Sequence, residues 1–241
     1  MSEPTSRDET KPCCIGSTNK EYVSIGKLIN VDDDLIAYTH GSVGTKAVVV
    51  ISDIYGINMG GTRKFCDKLA ESGFYVIMPD LFHGNPWEEN KALDSAFMSW
   101  LDLFPTEKTK SDLQKVIGFL SLKGITSKGV IGFCWGGKVV FESIAADDFK
   151  VGVTLHGSFV TEELAKSVNC PVMVLDSLNE PDRKDLLEIL SKKEFSKEIV
   201  YKRFGNMAHG WTIRGDTSIK EVKEAIDEAY DLTESYLKRY L

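Results

Sequence analysis

The sequence predicts an α/β protein with a mainly parallel, doubly wound sheet flanked by helices. Apolar runs alternate with helical patterns along most of the 241 residues, which is typical of parallel strands joined by right-handed helical crossovers. The run at 46–52 (Lys-Ala-Val-Val-Val-Ile-Ser) is rich in β-branched residues and suits a strand buried on both faces of the sheet. At 129–146 an apolar run passes through a glycine-flanked turn into a helical pattern, which adds a strand–turn–helix unit.

Turn and cap residues divide the chain into elements. Gly73 is expected to end the first helix, and Pro79 to end the strand at 74–78. Pro105 is expected at the first position of a helix. Residues 1–20 are polar and are expected to form a flexible arm, and residues 21–241 to form one domain. Strands are expected within 21–40, with a turn at 32–34, and at 46–52, 74–78, 129–131, 151–156, 171–175 and 198–204; helices are expected at 60–72, 88–104, 106–122, 138–146, 162–167, 186–193 and 219–240.

The composition excludes several classes of partner. A net charge of −7 argues against a nucleic-acid surface or an anionic membrane. No apolar run approaches the roughly 20 residues of a membrane span, and the first ten residues contain no apolar segment of a signal peptide. Five scattered cysteines without an export signal favour a reduced, cytoplasmic setting over disulfides. Cys13-Cys14 in the arm is read as part of a simple tail, with a metal site as the alternative.

The turn at Gly132-Phe-Cys-Trp-Gly-Gly137 has the form of a nucleophile elbow, G-x-S-x-G, with Cys134 in place of the serine. Small residues on either side let strand and helix approach closely while the nucleophile adopts a strained backbone conformation. The alternative is a buried cysteine that packs as a small hydrophobe, which is also how we interpret Cys66 and Cys170.

The rest of the chain supplies partners for this cysteine in the order that a hydrolase of this architecture needs. Ligands bind at the carboxyl ends of strands in open α/β sheets, and the required order is nucleophile, acid, base. Here it gives Cys134, then Glu180 or Asp182, then His209. A thiol with a pKa near ~8.5 needs such a base for activation at neutral pH. His156 also ends a strand, as a rival base or a substrate-pocket residue, but it precedes the acid.

The oxyanion of the reaction would need two backbone N–H donors. One is expected from Trp135, which follows the nucleophile, and the second from Ile54 in the loop after the first buried strand. Asp53 in that loop is either a site residue or a cap. Nothing in the chain requires a metal or an organic cofactor, so none is expected.

With these motifs the chain resembles the dienelactone hydrolase family, and its Cys-Cys arm resembles the eukaryotic branch. The resemblance implies the α/β-hydrolase fold and a Cys-His-Asp triad that opens lactones and esters through a thiolester acyl-enzyme, with Cys134 as nucleophile and His209 as base. The matching segments are Gly-Phe-Cys-Trp-Gly-Gly at 132–137, Met-Ala-His-Gly-Trp at 207–211, Asp-Ile-Tyr-Gly-Ile-Asn at 53–58 and Met-Pro-Asp-Leu-Phe at 78–82.

Two positions depart from the family pattern. Bacterial members carry a glutamate where this chain has Asp53, and there it holds the resting thiol. The family's acid is an aspartate about nine residues after the proline that opens its strand; counting from Pro171, that position is Glu180, with Asp182 two residues on as the alternative.

The resemblance also suggests residues that contact the substrate. Arg214 is similar to an arginine of eukaryotic members, which could bind a substrate carboxylate through both ends of its guanidinium; the alternative is a solvated surface arginine. Trp211 and Trp135 are expected as apolar pocket walls. The residues expected to bind substrate or restrain the thiol are Asp53, Tyr55, His156, Trp211 and Arg214.

The expected function is a cysteine-dependent hydrolase of carboxylic esters or lactones with a small, anionic substrate. The alternatives are a thioesterase or peptidase on the same fold, and a catalytically idle protein of this fold that binds a ligand or partner. The sequence does not indicate the oligomeric state.

Overall fold

The computed structural model describes residues 22–241. The predicted arm and its Cys13-Cys14 pair therefore lie outside the described residues. The strands are β1 (Lys27–Asp32), β2 (Leu35–His40), β3 (Lys46–Ile51), β4 (Tyr75–Pro79), β5 (Ser127–Phe133), β6 (Val151–Leu155), β7 (Val172–Asp176) and β8 (Val200–Arg203). The helices are α1 (Gly60–Glu71), α2 (Ser95–Leu101), α3 (Thr106–Leu122), α4 (Gly136–Ser143), α5 (Glu162–Ser167), α6 (Lys184–Leu190), α7 (Trp211–Arg214) and α8 (Lys220–Tyr240), with a short 3-10 turn at Ser196–Glu198.

The strands form one sheet in the order β1-β2-β4-β3-β5-β6-β7-β8. β1 and β2 pair antiparallel, β2 pairs antiparallel with β4, and every pair from β4 to β8 is parallel. The predicted mainly parallel, doubly wound sheet is therefore confirmed. The strand order reverses between β3 and β5, and such a switch point opens a crevice at the carboxyl ends of the two strands.

Both faces of the sheet are covered, which explains the continuous apolar runs of the central strands. Val49 and Ile51 of β3 pack into a core with residues from α2 to α6, whereas Val48 and Val50 pack into a second core with α1 and α8. All residues of β4, β6 and β7 are buried. Helices therefore cover both faces of the sheet, α2 to α6 on one and α1, α7 and α8 on the other.

Several local expectations differ from the structure, among them those at α2, α3 and α6. The helix expected at 88–104 is only α2, because the Asp94 side chain accepts a hydrogen bond from the Ala96 amide (2.9 Å) and caps the helix there. Pro105 is the N-cap of α3 rather than its first residue. The expected helix at 186–193 begins and ends earlier, as α6. No helix within 22–241 has the length and apolarity to cross a membrane.

Candidate active site

Cys134 lies at the apex of a tight turn between β5 and α4. Its φ of +52° lies in the left-handed region, which non-glycine residues rarely adopt. Its N–H donates to the Leu155 carbonyl (3.2 Å), and its own carbonyl accepts from the amides of Gly137 (2.9 Å) and Ser158 (2.8 Å). These three bonds hold the strained backbone and fix the position of the side chain.

Two glycines make the turn possible. A Cβ on Gly132 would lie 2.1 Å from the Gly136 carbonyl oxygen, and one on Gly137 would lie 2.5 Å from Cα of Gly157. Both distances are far below van der Waals contact, so the close approach of strand, helix and neighbouring loop requires glycine at these positions.

His209 and Glu180 are brought together from the loops after β8 and β7. The ring Nδ1 of His209 lies 2.5 Å from Glu180 Oε1, and both side chains are buried. The other carboxylate oxygen accepts a short hydrogen bond from the Ser177 amide. Asn179 Oδ1 accepts from the His209 amide (2.9 Å), which fixes the base from its backbone as well.

Asp182 lies apart from this pair. Its Oδ1 accepts from the backbone amide of Lys184 (3.0 Å) at the start of α6, and the residue is exposed. Of the two carboxylates that the sequence left open, Glu180 is therefore the one in contact with the His209 ring.

The charges at the site shift the pKa values of both partners. Burial opposes protonation of His209, but the neighbouring Cys134 and Glu180 outweigh it and raise its pKa to about 10. Burial likewise opposes ionisation of Glu180, but the hydrogen bond and charge of His209 lower the pKa of that carboxyl to about 2. His209 Nε2 is buried and makes no aligned hydrogen bond within 22–241. The site thus favours a charged imidazolium beside an ionised carboxylate.

Ser158 contacts the nucleophile, and the sequence analysis did not single it out. Its Oγ lies 3.6 Å from the Cys134 sulfur. Ser158 follows β6, which pairs with β5, so the ends of the two strands are neighbours. In the sequence, the available signal was that Ser158 carries a hydroxyl just after the carboxyl end of a strand. Only the strand order shows that this end lies next to the end of β5, where Cys134 is.

His156 is completely buried behind His209 rather than exposed to a substrate pocket. The two ring centroids are 4.9 Å apart, edge to face, and His156 Nε2 lies 2.8 Å from Thr212 Oγ1. Burial and the charge of His209 keep the pKa of His156 well below its usual value, so its ring is neutral. It makes neither the contact with the thiol nor the contact with the acid that a rival base would need.

Asp53 and Arg214 form a buried ion pair. Asp53 Oδ1 accepts from the Tyr55 amide (3.1 Å), and Oδ2 accepts from the guanidinium. The guanidinium also lies 5.2 Å from the centroid of the Tyr55 ring. Arg214 is thus not a solvated surface residue. Among the described residues, the carboxylate of Asp53 bonds to these groups and not to Cys134.

The two expected oxyanion donors lie in neighbouring loops. Ile51 at the end of β3 is in register with Gly132 in β5, so Ile54 and Trp135 follow adjacent strands. Within 22–241, neither backbone N–H donates to a protein acceptor.

The two tryptophans have different surroundings. The ring of Trp135 is fully buried, and its centroid lies 4.8 Å from that of the Phe82 ring. It therefore packs in the core rather than lining an open pocket. Trp211 packs between Phe204 and His156 and also borders a cavity of about 390 Å³ beside His209 and Arg214.

The other described cysteines lie in the core. Burial raises the pKa of the Cys66 thiol, and it raises that of Cys170 to about 12. Within 22–241, no group of three or more His, Cys, Asp or Glu side chains is arranged to hold a metal.

Comparison with known proteins identifies the family. The dienelactone hydrolase family matches residues 35–241. The carboxymethylenebutenolidase homologues of Homo sapiens and Xenopus tropicalis are each 29% identical to the chain, over 95% of its length and 97% and 96% of theirs. A dienelactone hydrolase candidate from Klebsiella pneumoniae has a similar structure, with a TM-score of 0.72 and 19% identity over 90% of this chain and 100% of that one. The dienelactone hydrolase of Anabaena variabilis is also similar, with a TM-score of 0.64 and 15% sequence identity over 91% of this chain and 98% of that one. The chain therefore belongs to the dienelactone hydrolase family, a hydrolase family with the α/β-hydrolase fold, as its motifs predicted.

Proposed function

We propose that this protein hydrolyses carboxylic esters or lactones, with Cys134 as the nucleophile. The observation that carries the proposal is the convergence of a strained elbow cysteine with a buried His209–Glu180 pair. The three residues follow the chain order of the fold's hydrolytic triads. The pKa of His209, raised to about 10, means that its ring is charged at neutral pH, and a cationic neighbour of this kind activates a cysteine nucleophile.

The first half of the reaction transfers the acyl group to the thiol. Cys134 loses its proton to His209, and Glu180 stabilises the resulting imidazolium through Nδ1–H. The thiolate attacks the carbonyl carbon, and the negative charge moves to the carbonyl oxygen, where the amides of Trp135 and Ile54 stabilise it. The intermediate collapses as the C–O bond breaks, and His209 gives its proton to the departing alkoxide.

The second half regenerates the enzyme. His209 removes a proton from water as the water attacks the thiolester carbon, and the same two amides stabilise the second oxyanion. Collapse of this intermediate releases the carboxylic acid, and the proton on His209 restores the Cys134–His209 pair. The balance is one water consumed for each ester bond cleaved.

Arg214 supports the proposal that the substrate is anionic. It lines the cavity beside His209 together with Trp211, and in the resting protein its charge is neutralised by Asp53. A substrate carboxylate would compete with Asp53 for the guanidinium, which offers paired N–H donors to such a group.

The proposal is tested by assaying an activated ester and a dienelactone with wild type, Cys134→Ala and His209→Ala. Cys170→Ala is the matched control, because it removes a buried thiol far from the reaction. We expect both site variants to lose at least about 1000-fold in kcat/KM and the control to keep its rate within about twofold. Wild-type rates in Cys134→Ala would exclude the mechanism, and complete inactivity of the wild type toward all esters would favour the idle binding protein.

A further inference from the structure

The segment His156–Ser158, at the carboxyl end of β6, lies between the nucleophile and the base. His156 has a φ of +44°, and Phe159, just beyond the segment, has a φ of +58°. Two non-glycine residues in the left-handed region within four positions are uncommon. Such conformations persist where the surrounding structure over-determines them, and they cluster at functional sites.

A buried arginine clamps this segment in place. Arg183 donates from Nη2 to the Gly157 carbonyl (2.6 Å) and from Nε to Asp176 Oδ2 (3.0 Å). Arg183 and Asp176 are both buried, so the charge pair is shielded from water and rigid. The Gly157 backbone is also in close contact with Gly137 of the elbow helix. The segment is thus a fixed platform against which the nucleophile turn packs.

Ser158 reaches the nucleophile through two atoms. Its amide donates to the Cys134 carbonyl (2.8 Å), and its hydroxyl lies 3.6 Å from the sulfur. A serine hydroxyl both donates and accepts. It can therefore accept from a neutral thiol and, after rotation of its O–H, donate to a thiolate, where the bond is stronger because the acceptor is charged. Within 22–241 the Asp53 carboxylate bonds to Tyr55 and Arg214 instead. The hydroxyl is therefore a polar group at the sulfur in addition to the His209 ring.

His156 packs against the ring of His209 and restrains it, in addition to the hydrogen bond to Glu180. The edge-to-face contact with His209 places one ring against the other at 4.9 Å. The His156 ring is itself fixed by Thr212 Oγ1 at 2.8 Å and by the Trp211 ring at 5.4 Å. The hydrogen bond to Glu180 fixes only Nδ1 of the His209 ring. The ring could therefore still tilt about this bond. The neutral ring of His156 opposes this tilt without adding a like charge.

We propose that His156–Ser158 positions both members of the Cys134–His209 pair, with the Ser158 hydroxyl as the donor to the thiolate and the His156 ring as the support of the base. This inference deepens the cysteine mechanism proposed above and rests on it. Ser158 touches the reacting sulfur, whereas His156 acts only through His209 and is a positioning residue.

The role of Ser158 is tested by alkylation of Cys134 with iodoacetamide between pH 5 and 10, with labelled peptides counted by mass spectrometry. Ser158→Ala is compared with Ser143→Ala, which removes a half-buried hydroxyl that bonds to the Val139 carbonyl on the elbow helix. We expect Ser158→Ala to shift the profile to higher pH and to slow labelling at pH 6–7 by about tenfold. The Ser143 variant should match wild type. An unchanged profile in Ser158→Ala would overturn this half of the inference.

The role of His156 is tested with His156→Asn, because asparagine tolerates positive φ. His83→Asn is the matched control: His83 also has a positive φ, of +50°, and its ring bonds to Asp112. The chain has four histidines, so an NMR titration resolves the His209 ring. We expect the His209 pKa to fall toward its ordinary value and kcat for an activated ester to fall about tenfold, with KM within about twofold. The control should change none of these.

A second variant covers the case in which His156→Asn does not fold. Thr212→Val removes the hydroxyl that holds the His156 ring, so it should also lower the His209 pKa. Thr212→Ser keeps this hydroxyl and should keep the wild-type His209 pKa. Unchanged titration and kcat in both His156→Asn and Thr212→Val would overturn the inference. Labelling and titration need no substrate, so these outcomes are distinguishable from a failure of the proposed hydrolysis.

Discussion

At the scale of single residues, the choice of acid follows from one turn. Glu180 curls back so that one carboxylate oxygen accepts from the Ser177 amide and the other from the His209 ring. Asp182 is directed instead to the first turn of α6. The two carboxylates are only two positions apart, yet Glu180 is a buried partner of the base and Asp182 is an exposed carboxylate at the start of α6.

This difference predicts opposite behaviour for two conservative substitutions. Glu180→Gln keeps the shape of the side chain but removes the charge that stabilises the imidazolium, so we expect kcat to fall about 100- to 1000-fold. Asp182→Asn keeps an acceptor for the Lys184 amide and should stay within about twofold of wild type. Steady-state kinetics on one activated ester measures both, and the reverse ranking would show that Asp182 is the acid.

The same pair predicts a pH dependence of stability. The folded pKa of His209, about 10, lies above the ordinary 6.5, so its contribution is complete below about pH 6.5 and is lost as the pH rises toward 10. The folded pKa of Glu180, about 2, lies below 4.5, so its contribution is complete above about pH 4.5 and is lost as the pH falls toward 2. The gap in Tm between wild type and Glu180→Gln should therefore be largest between pH 4.5 and 6.5.

We expect this gap to reach several degrees at its maximum, since a hydrogen bond to a charged group contributes about 1.5–3 kcal/mol. Thermal unfolding followed by circular dichroism at pH 3, 5.5 and 9.5 measures it. A gap that is constant across this range would contradict the assigned protonation states.

At the scale of elements, the elbow depends on the close approach of β5 and α4. Gly132→Ala would place a Cβ 2.1 Å from a backbone oxygen of the helix. We therefore expect it to lower the free energy of unfolding by about 3 kcal/mol or more. Gly118→Ala is the matched control: Gly118 lies inside α3 with open space around a Cβ, and it should stabilise the protein by about 0.5–1 kcal/mol. Urea unfolding measures both, and a neutral Gly132→Ala would refute the packing argument.

At the scale of the whole molecule, one ion pair connects distant parts of the chain. Asp53 and Arg214 are 161 positions apart, and the pair joins the loop after β3 to α7. Arg214→Met leaves the Asp53 carboxylate buried without its partner, so we expect a loss of about 3–5 kcal/mol. The double variant Asp53→Leu/Arg214→Met should recover most of this loss, because no buried charge remains. Additive losses in the double variant would show that the two charges are not coupled.

The sequence predicted the sheet because each central strand is apolar along its length, and it predicted the elbow because its glycines lie at fixed offsets from Cys134. It left the acid open because the turn from Ser177 to Glu180 has no periodic pattern. It missed α7, since a four-residue helix after Gly210 gives no helical repeat, and it therefore left open whether Arg214 lies in the site or on the surface. The contact between Ser158 and Cys134 could not be predicted, because it depends on β6 lying next to β5, and the sequence does not specify the order of the strands.

The central claim is that Cys134 carries the acyl group, and the most direct test is to trap that intermediate. Wild type is mixed with an activated ester, quenched in acid within the first turnovers, digested and analysed by mass spectrometry. We predict one acyl group on the peptide that contains Cys134, removable by hydroxylamine as expected of a thiolester, and no adduct or turnover in Cys134→Ala. An acyl group on another residue, or hydrolysis at the wild-type rate by Cys134→Ala, would contradict the account.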